Sequence, residues 1–433
     1  MRNEKPAFDR PHGEKASRPV ESSSAASSVR VLLVWIAAIL SLVPVTTAAA
    51  QPRLPSDKLL LTHYMPWYKT PAYRDAWGGH WTGFRKQHDP ERVDKNGLSD
   101  IWSNYHPLIG LYDSADPDVL ECHLLQMKLA GVDGVIVDWY GISDANDYPD
   151  NQQASIALFE ACERLGMRFA VMFEDRTVEQ LVKQGGLDED DADRHLAETI
   201  RWLADNWFDS PHYVRIDGRP LLMNFGPVYL KDPEIWERGF AASGEDPAFF
   251  ALHHLWEGIG ADGGFTWVHS SVYQGEPSTA EIKARIRRVF QRTADEPADV
   301  IVSALAGFDD VYENGYPSVD HRDGQTLREH LEVAMSGPWP IVQLVTWNDY
   351  GEGTMIEPTH EFGYTFLEVV QASRRAEMRA RFRFDTDDLR LPARLLELRR
   401  AKTAPDRELD LIADLLSGGE TARASAALER LGG

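Results

Sequence analysis

The feature that most constrains this chain is an alternation of short β-branched or aromatic runs with longer stretches of helical period. This alternation predicts an α/β fold built on a parallel sheet. Strands are expected near residues 59–65, 133–139, 168–174, 220–225, 248–254, 264–269, 299–307 and 340–347. Helices are expected near residues 117–130, 152–166, 188–207, 279–294, 323–336 and 361–380. Eight strands with helices between them predict closure into a (β/α)8 TIM barrel.

The N-terminal region has the pattern of an export signal. Arg30 precedes an apolar run that ends near Pro44, and the small residues Ala48-Ala49-Ala50 follow. The run is shorter than the ~20 residues that a membrane-spanning helix needs. We therefore expect residues 1–50 to be a signal peptide and the mature protein to be periplasmic or extracellular. Tethering by an uncleaved signal anchor is the alternative.

The rest of the chain is expected to divide into two parts. Residues 51–385 form the predicted barrel, and residues 386–433 form a C-terminal helical appendage. The appendage contains helical patterns at 391–400, 409–416 and 422–431. Packing against the barrel is the simplest role for it, and binding of a peptide or protein partner is the alternative.

The net charge and the cysteine content limit the classes of partner and ligand that the protein can bind. The net charge of −23 disfavours nucleic acids and anionic membranes, and a neutral or cationic substrate fits better. The only cysteines, Cys122 and Cys162, lie in helical patterns and form either one disulfide or two buried thiols. Their spacing does not resemble a metal site. We expect neither a metal nor a cofactor, and the sequence leaves the oligomeric state open.

The C-terminal ends of the predicted strands carry polar and aromatic side chains. Active residues of parallel barrels project from these ends, because the βα loops gather there. Sugars present hydroxyl edges and flat C–H faces, which such side chains can bind. The long connection at residues 66–115, rich in Trp and His, is expected to serve the same site. The candidate substrate-binding residues are Tyr64, Trp67, Asp138, Trp139, Glu174, His254, Asp309 and Asn348.

Asp349 and Glu352 are the candidate catalytic residues. Glycosidic cleavage uses one protonated carboxyl group and one ionised carboxylate. These two acids lie three residues apart just beyond the eighth strand, and a helical turn would direct both into one pocket. Glycines at 351 and 353 would let the backbone approach a ligand closely. Spacing alone also allows a structural role, in which Asp349 caps the turn and Glu352 pairs with a surface cation.

Several segments resemble known glycoside hydrolases. The stretch WNDYGEGTMIEP, from Trp347 to Pro358, resembles the hallmark segment shared by glycoside hydrolase families 71 and 99. HYMPWY, starting at His63, resembles the first-strand motif of family 99, and GVDGVIVDWY, starting at Gly131, resembles its second strand. Gly307-Phe308-Asp309-Asp310 is similar to a loop in both families. The similarity spans about residues 59–370 in the same order.

This resemblance implies a barrel that cleaves α-linked glycans, either mannan-like or glucan-like. In family 99 the positions matching Asp349 and Glu352 are both glutamates. There the second is the general acid/base, and the first assists the sugar's own 2-hydroxyl, giving retention through an anhydro-sugar. This chain has aspartate at the first position, as family 71 does, so that mechanism and the mannose preference do not transfer directly. By the resemblance Glu352 is the general acid/base and Asp349 its ionised partner.

Two other functions remain open from the sequence. One is a carbohydrate-binding barrel without catalytic activity. This alternative remains because the chain has aspartate at position 349 where family 99 has glutamate. The other is a metal-dependent hydrolase that uses His253, His254, Asp309 and Asp310. Adjacent residues of a strand point to opposite faces, so the two histidines make a poor pair of ligands.

Overall fold

A computed structural model describes residues 58–312 and 315–432 of the chain. The predicted signal peptide at residues 1–50 lies outside these described residues. Within them, no helix is both long enough and apolar enough to cross a membrane.

Eight parallel strands close into a barrel, as the sequence predicts. Around the barrel the strands follow the order β3-β2-β1-β9-β8-β7-β6-β5, and pairing of β3 with β5 closes it. The two-residue strand β4 pairs antiparallel with β5 outside this ring. The strands in the described part of the chain are β1 (Leu59–Tyr64), β2 (Gly134–Trp139), β3 (Arg168–Phe173), β4 (Arg215–Ile216), β5 (Arg219–Asn224), β6 (Ala248–Leu252), β7 (Gly263–Phe265), β8 (Val300–Leu305) and β9 (Ile341–Val345).

The helices surround the barrel and continue past it at the C-terminal end. Those of eight residues or more are α3 (Pro117–Ala130), α4 (Tyr148–Leu165), α5 (Arg176–Lys183), α6 (Ala192–Leu203), α7 (Pro233–Ser243), α8 (Thr279–Thr293), α9 (Gln325–Ser336), α10 (Thr365–Met378), α11 (Leu391–Ala401), α12 (Asp406–Ser417) and α13 (Thr421–Gly432). Two single-turn helices, α1 (Pro71–Arg74) and α2 (Gly79–Thr82), lie in the long connection between β1 and α3.

Sequence predictions and structure differ mainly at element ends. The strands expected at 248–254 and 264–269 end earlier, because the chain turns at residues 253–255 and leaves the sheet after Phe265. Helices α5 and α7 were not predicted, and both are short segments that follow strand ends. The expected start of α3 is confirmed, since the Asp116 side chain accepts a hydrogen bond from the Asp118 N–H at 3.0 Å.

Alternation along each strand separates the barrel interior from the layer beneath the helices. On β1, Leu59 and Leu61 pack inside the barrel, whereas Leu60 and Tyr64 pack in the outer core against the helices. The same period of two applies to β2, where Ile136 is an interior residue. This alternation decides which strand-end side chains can reach the mouth of the barrel.

A polar layer crosses the barrel between the apolar interior and the C-terminal strand ends. Gln343 accepts a hydrogen bond at its Oε1 atom from His63 Nε2–H at 2.9 Å. Its Nε2 atom donates to the Thr266 carbonyl and to the Ser303 hydroxyl, both at 2.8 Å. Burial lowers the pKa of His63 to about 3, so this imidazole is neutral at ordinary pH.

Two of the three C-terminal helices, α11 and α12, contact α3, and α13 packs against those two. Arg399 of α11 binds Glu121 with its Nε atom 2.8 Å from Oε1, and the Glu121 side chain is buried. Lys128, near the end of α3, donates to the Ser417 hydroxyl at 3.1 Å. These contacts favour the packing role for residues 386–433, although the predicted domain boundary itself stays a prediction.

Both cysteines are free thiols in the structure. Cys122 on α3 and Cys162 on α4 are buried in the outer core. Burial raises the pKa of each thiol above its ordinary value. Of the two alternatives from the sequence, the structure therefore has the buried thiols.

Candidate active site

The loop after β9 brings Asp349 and Glu352 together at the barrel mouth. Asp349 is 3 % exposed, and its backbone N–H donates to the Thr346 hydroxyl at 2.8 Å. Its Oδ1 atom accepts a hydrogen bond from the Glu352 N–H at 2.9 Å. Asp349 thus does cap the turn, as the structural alternative required. The same cap fixes Glu352 on the inner side of the loop.

Glu352 does not pair with a surface cation. Its Oε2 atom is buried and has no hydrogen-bond partner among the described residues. Burial, then repulsion from Asp349 and Asp310, raises the pKa of Glu352 well above its ordinary value, and hydrogen bonding to Trp267 offsets this in part. Burial raises the pKa of Asp349 to about 7, with backbone N–H groups opposing the shift. Because the charge of Asp349 is among the causes that raise the pKa of Glu352, the pair favours Glu352 as its protonated member.

Two further acids face the same space from neighbouring strands. Asp138 shares the interior side of β2 with Ile136, and Glu174 follows β3 on the side of the interior residue Met172. The Glu174 N–H donates to the Trp139 carbonyl at 3.1 Å, which extends the pairing of β2 with β3 by one residue. Asp138 is 5 % exposed. The structure thus brings the predicted Asp138 and Glu174 together with the catalytic pair.

The pKa values of these two acids reflect the proximity. Burial, followed by repulsion from Glu174, Asp349 and Glu352, raises the pKa of Asp138 well above its ordinary range. Burial raises the pKa of Glu174 to about 8, and the Arg176 guanidinium opposes the shift. Crowded carboxyl groups with separated pKa values are typical of acid–base catalytic sites.

A fifth acid, Asp310, reaches the cluster from the loop after β8. The Asp309 N–H donates to the Glu352 carbonyl at 2.8 Å, and the Val311 N–H donates to the Gly351 carbonyl at 2.9 Å. Pairing of these two loops sets Asp310 beside the catalytic acids, and its charge raises the pKa of both Asp349 and Glu352. The sequence places Asp310 in the loop shared with families 71 and 99 and otherwise makes it only a candidate metal ligand.

Aromatic residues surround the acids. Repulsion from Asp349 and Glu352, added to burial, raises the pKa of Tyr312 well above 10, and Asp138 and Glu174 act likewise on Tyr140. The predicted Trp67 is half-buried, lies 6.4 Å from Tyr140 and stacks on His80 with ring centroids 4.1 Å apart. Tyr312 and Trp267 were missed from the candidate residues, although Trp267 stands within a predicted strand. Tyr312 follows the Asp309-Asp310 motif by two residues, which was the available signal.

Tyr64 and Trp139 do not face the site, and their assignment to substrate binding is wrong. Both are fully buried in the outer core. The Tyr64 hydroxyl bonds His123 Nδ1 at 3.0 Å, and Trp139 stacks on Trp202 with ring centroids 5.6 Å apart. The physical reason is the alternation of the strands, which turns both side chains toward the helices.

Asn348 is also structural rather than substrate-binding. It is fully buried, its Oδ1 atom accepts from the Met65 N–H at 2.8 Å, and its Nδ2 atom donates to the Met65 carbonyl at 3.0 Å. Nδ2 also lies 3.1 Å from the Tyr112 hydroxyl. These bonds use the amide to join the ends of β1 and β9.

Asp309 and His254 lie outside the carboxyl cluster. Asp309 Oδ2 accepts hydrogen bonds from Asn104 Nδ2 at 2.8 Å and from the Tyr105 hydroxyl at 3.1 Å, so it anchors the long connection after β1. His254 is exposed on the turn after β6 and contacts the His253 ring at 4.7 Å between centroids. Neither is among the groups that shift the pKa values of the cluster.

A second layer of buried polar groups supports the catalytic loop. Glu357, 1 % exposed, accepts from the Tyr112 hydroxyl at 2.8 Å and pairs with His123 Nε2 at 3.1 Å. The Tyr68 hydroxyl donates to the Asn348 carbonyl at 2.8 Å and lies 3.1 Å from the Tyr350 N–H. These contacts hold the loop from behind while its acids face the mouth.

Among the residues that the structure describes, no group of three or more His, Cys, Asp or Glu side chains is arranged to hold a metal ion. The adjacent His253 and His254 are part of no such group.

Comparison with known proteins connects the chain to one family of glycosidases. Residues 55–249 match the family model described as Glycosyl hydrolase family 99. This match covers β1 to β5 and the first two residues of β6, and it ends before the loop that carries Asp349 and Glu352. The catalytic assignment of that loop therefore depends on its geometry and on the sequence resemblance described above.

Curated relatives and solved structures extend the similarity beyond that match. The chain is 24% identical over 329 residues to a glycoprotein endo-alpha-1,2-mannosidase-like protein of Danio rerio, covering 68% of this chain and 69% of the relative. It is 22% identical over 342 residues to a glycoprotein endo-alpha-1,2-mannosidase of Rattus norvegicus, covering 70% and 68%. The fold resembles that of an endo-alpha-mannosidase from Bacteroides thetaiotaomicron, with a TM-score of 0.55, 21% identity, and coverage of 75% of this chain and 99% of that chain.

Proposed function

Because this chain is a glycoside hydrolase of the family 99-like type, we propose that it cleaves α-linked mannose glycans with Glu352 and Asp349 as its catalytic pair. The observation that carries the proposal is the capped loop after β9, in which Asp349 is buried, Glu352 is half-buried with a buried Oε2 atom, and repulsion from Asp349 adds to burial in raising the pKa of Glu352. Hydrolysis of a glycosidic bond needs this division between a protonated and an ionised carboxyl group. The substrate preference is supported by relatives that are named endo-α-mannosidases.

The two acids take different roles in this proposal. Glu352 donates its proton to the departing glycosidic oxygen, which its raised pKa allows near neutral pH. Asp349 is the ionised partner that takes up a proton from the attacking hydroxyl group, either of water or of the sugar itself. Its carboxylate is held by the Glu352 N–H, so the two groups keep a fixed relative position.

The polar and aromatic residues around the pair would bind the sugar. Asp138 and Glu174 can bond hydroxyl groups, and the rings of Trp67, Tyr140 and Tyr312 can pack against C–H faces. The long connection after β1 contributes to this wall through the Trp67–His80 stack and through the bonds of Asn104 and Tyr105 to Asp309.

Incubation of the purified protein with a panel of α-mannans and α-glucans tests the proposal. We expect cleavage of an α-mannan, and NMR observation of the first anomer formed distinguishes retention from inversion. Glu352→Gln should lower kcat by at least about 10³-fold while the variant still binds the glycan, since it removes the acid without changing its shape. Glu257→Gln, an exposed glutamate after β6, is the matched control and should keep full activity. If the native protein binds these glycans without cleaving them, the protein is a carbohydrate-binding barrel and the proposed hydrolysis is wrong.

We also propose that the protein is exported. The support is the basic, apolar and small-residue sequence of positions 30–50. N-terminal sequencing of the mature protein from the periplasm or the medium should find a start near Gln51. A chain that stays with the membrane fraction and retains Val31 would indicate the uncleaved anchor instead.

A further inference from the structure

The barrel mouth contains more acid than a pair-based hydrolysis uses. Asp138, Glu174 and Asp310 lie around Asp349 and Glu352. Glu174 and Asp310 each raise the pKa of at least one other member of the cluster, and the pKa of Asp138 is raised by Glu174, Asp349 and Glu352. A site that only bonded the hydroxyl groups of a neutral sugar could do so with amides and alcohols, without repulsion between like charges. The three additional acids therefore suggest a ligand that carries positive charge.

Asp138 is the member with the fewest compensating contacts. It is 5 % exposed, and its carboxyl group has no hydrogen bond or ion pair among the described residues. The only bond of this residue with a neighbouring side chain uses its backbone carbonyl, which accepts from Asn151 Nδ2 at 3.0 Å. A buried carboxyl group without a donor is costly, and such groups in native proteins usually meet a ligand, water or ion.

The surroundings of Asp138 direct this unpartnered group into the site. It is on the interior side of β2, and the next strand carries Glu174 at its end on the same side. The Trp139 side chain, in contrast, faces the outer core. Asp138 and Glu174 therefore form a pair of carboxyl groups on the interior side of two adjacent strands.

Positive charge from the protein is nearly absent at this pair. Arg176 is the only cation that acts on Glu174, and the Arg176 side chain is exposed. None of the cations in the described residues forms an ion pair with Asp138, Glu174, Asp349 or Glu352. The chain as a whole has a charge of −23, so its field attracts cations toward the mouth.

We propose that the Asp138–Glu174 pair binds an ammonium group on the glycan, so that the preferred substrate is an α-linked amino sugar with a free amine. An ammonium group supplies three donors and one positive charge, so its binding favours the ionised form of both acids and offsets the repulsion that raises the pKa of Asp138. A hydroxyl group would supply one donor and leave the repulsion in place. This inference rests on the proposed function, because it concerns the sugar bound beside the same catalytic pair.

The test compares binding of three monosaccharides by ligand-observed NMR titration of the native full-length protein: mannosamine, N-acetylmannosamine and mannose. It is run at about pH 6.5, where the amine carries its proton. We expect mannosamine to bind at least tenfold more tightly than either neutral sugar. Asp138→Asn should reduce this ratio to about twofold or less. Asp144→Asn, the same change at an exposed position on the loop after β2, should keep the native ratio.

Two results would overturn the inference. One is binding of mannosamine and mannose with affinities within twofold of each other. The other is no measurable binding of mannosamine at the highest concentration used. Cleavage of neutral α-mannan is measured separately. If that cleavage occurs and the binding preference is missing, the amino-sugar inference fails and the proposed hydrolysis stands. If the preference is present and no α-linked glycan is cleaved, the hydrolysis fails and the cation site stands.

Discussion

The backbone N–H of Asp309 donates to the carbonyl oxygen of Glu352 at 2.8 Å, so two loops from neighbouring barrel strands are joined directly at the catalytic acid. A second bond, from Val311 to Gly351, completes the pairing. This junction brings Asp310 close to the catalytic pair and lays the Tyr312 ring over the backbone at Gly351. A substitution at Gly351, where an added side chain would not fit, tests whether this junction matters.

Gly351→Ala should disturb the junction. A Cβ atom at this position would lie 2.0 Å from the Tyr312 hydroxyl, which is below any real contact distance, so the ring must move. We expect kcat/KM to fall at least about tenfold and stability to fall by about 1–3 kcal/mol, measured by steady-state kinetics and urea unfolding. Gly258→Ala is the control, since nothing lies within 4 Å of its added Cβ. A Gly351→Ala enzyme with native kinetics would show that Tyr312 has no part in catalysis.

The rate of hydrolysis should have a bell-shaped dependence on pH. Asp349 must be ionised and Glu352 protonated, so kcat/KM rises as pH increases through about 7 and falls again as Glu352 loses its proton at higher pH. The two apparent values belong to the pair because the groups interact. Asp349→Asn should lower the rate and abolish the acidic limb. A native profile that is flat between about pH 5 and 7 would contradict the assignment.

Glu357→Gln should lower turnover, although Glu357 lies behind the catalytic loop and does not contact the substrate. The carboxylate accepts from Tyr112 and pairs with His123, and an amide would have to donate to one of them, which requires the Tyr112 hydroxyl or the His123 ring to change its proton position. We expect a loss of about 1–3 kcal/mol in the free energy of unfolding and a fall in kcat with little change in KM. Glu361→Gln, whose carboxylate pairs with the half-buried His106, should cost less than about 1 kcal/mol. If the two variants lose the same free energy of unfolding, Glu357 has no particular role in holding the catalytic loop.

Glu174→Gln should make the protein more stable at alkaline pH. The folded-state pKa of Glu174 is raised from 4.5 to about 8, so the folded protein binds this proton more tightly than the unfolded chain does. Its contribution is fully present below pH 4.5 and is lost as pH rises through 8. Urea unfolding at pH 5 and pH 8.5 should find the variant more stable than the native protein at the higher pH, by about 1–3 kcal/mol. Variant and native curves that stay parallel across this range would refute the raised pKa.

The barrel itself could be predicted because its signal is local. Each strand is a short buried run between helical stretches, and all eight predicted strands are present in the described residues. Asp138 and Glu174 were also accessible, since both continue the interior side of their strands from Ile136 and Met172. The prediction that Tyr64 and Trp139 bind substrate is wrong because it considered only their position at strand ends. Alternation from the interior residues places both side chains in the outer core.

The rest of the site depends on contacts between distant segments. Asp309 and Asp310 are adjacent acids on one loop, and nothing in their sequence shows which one reaches the cluster. The choice is made by Asn104 and Tyr105, which bind Asp309 from 205 and 204 residues away in the chain. The role of Asn348 also depends on a distant segment, because its side-chain amide forms hydrogen bonds with the backbone of Met65 at the end of the first strand. Long-range hydrogen bonds of this kind leave no local pattern.

Helix α3 supports the protein at two places at once. Glu121 binds Arg399 of the C-terminal helices, and His123, two residues further, binds the Glu357 that holds the catalytic loop. The last helices are thus mechanically linked to the chemistry through a single helix, although they lie outside the barrel mouth. A protease or a binding partner that acts on the C-terminal helices would change how fast the enzyme turns over, and its influence would reach the acids without any ligand entering the barrel.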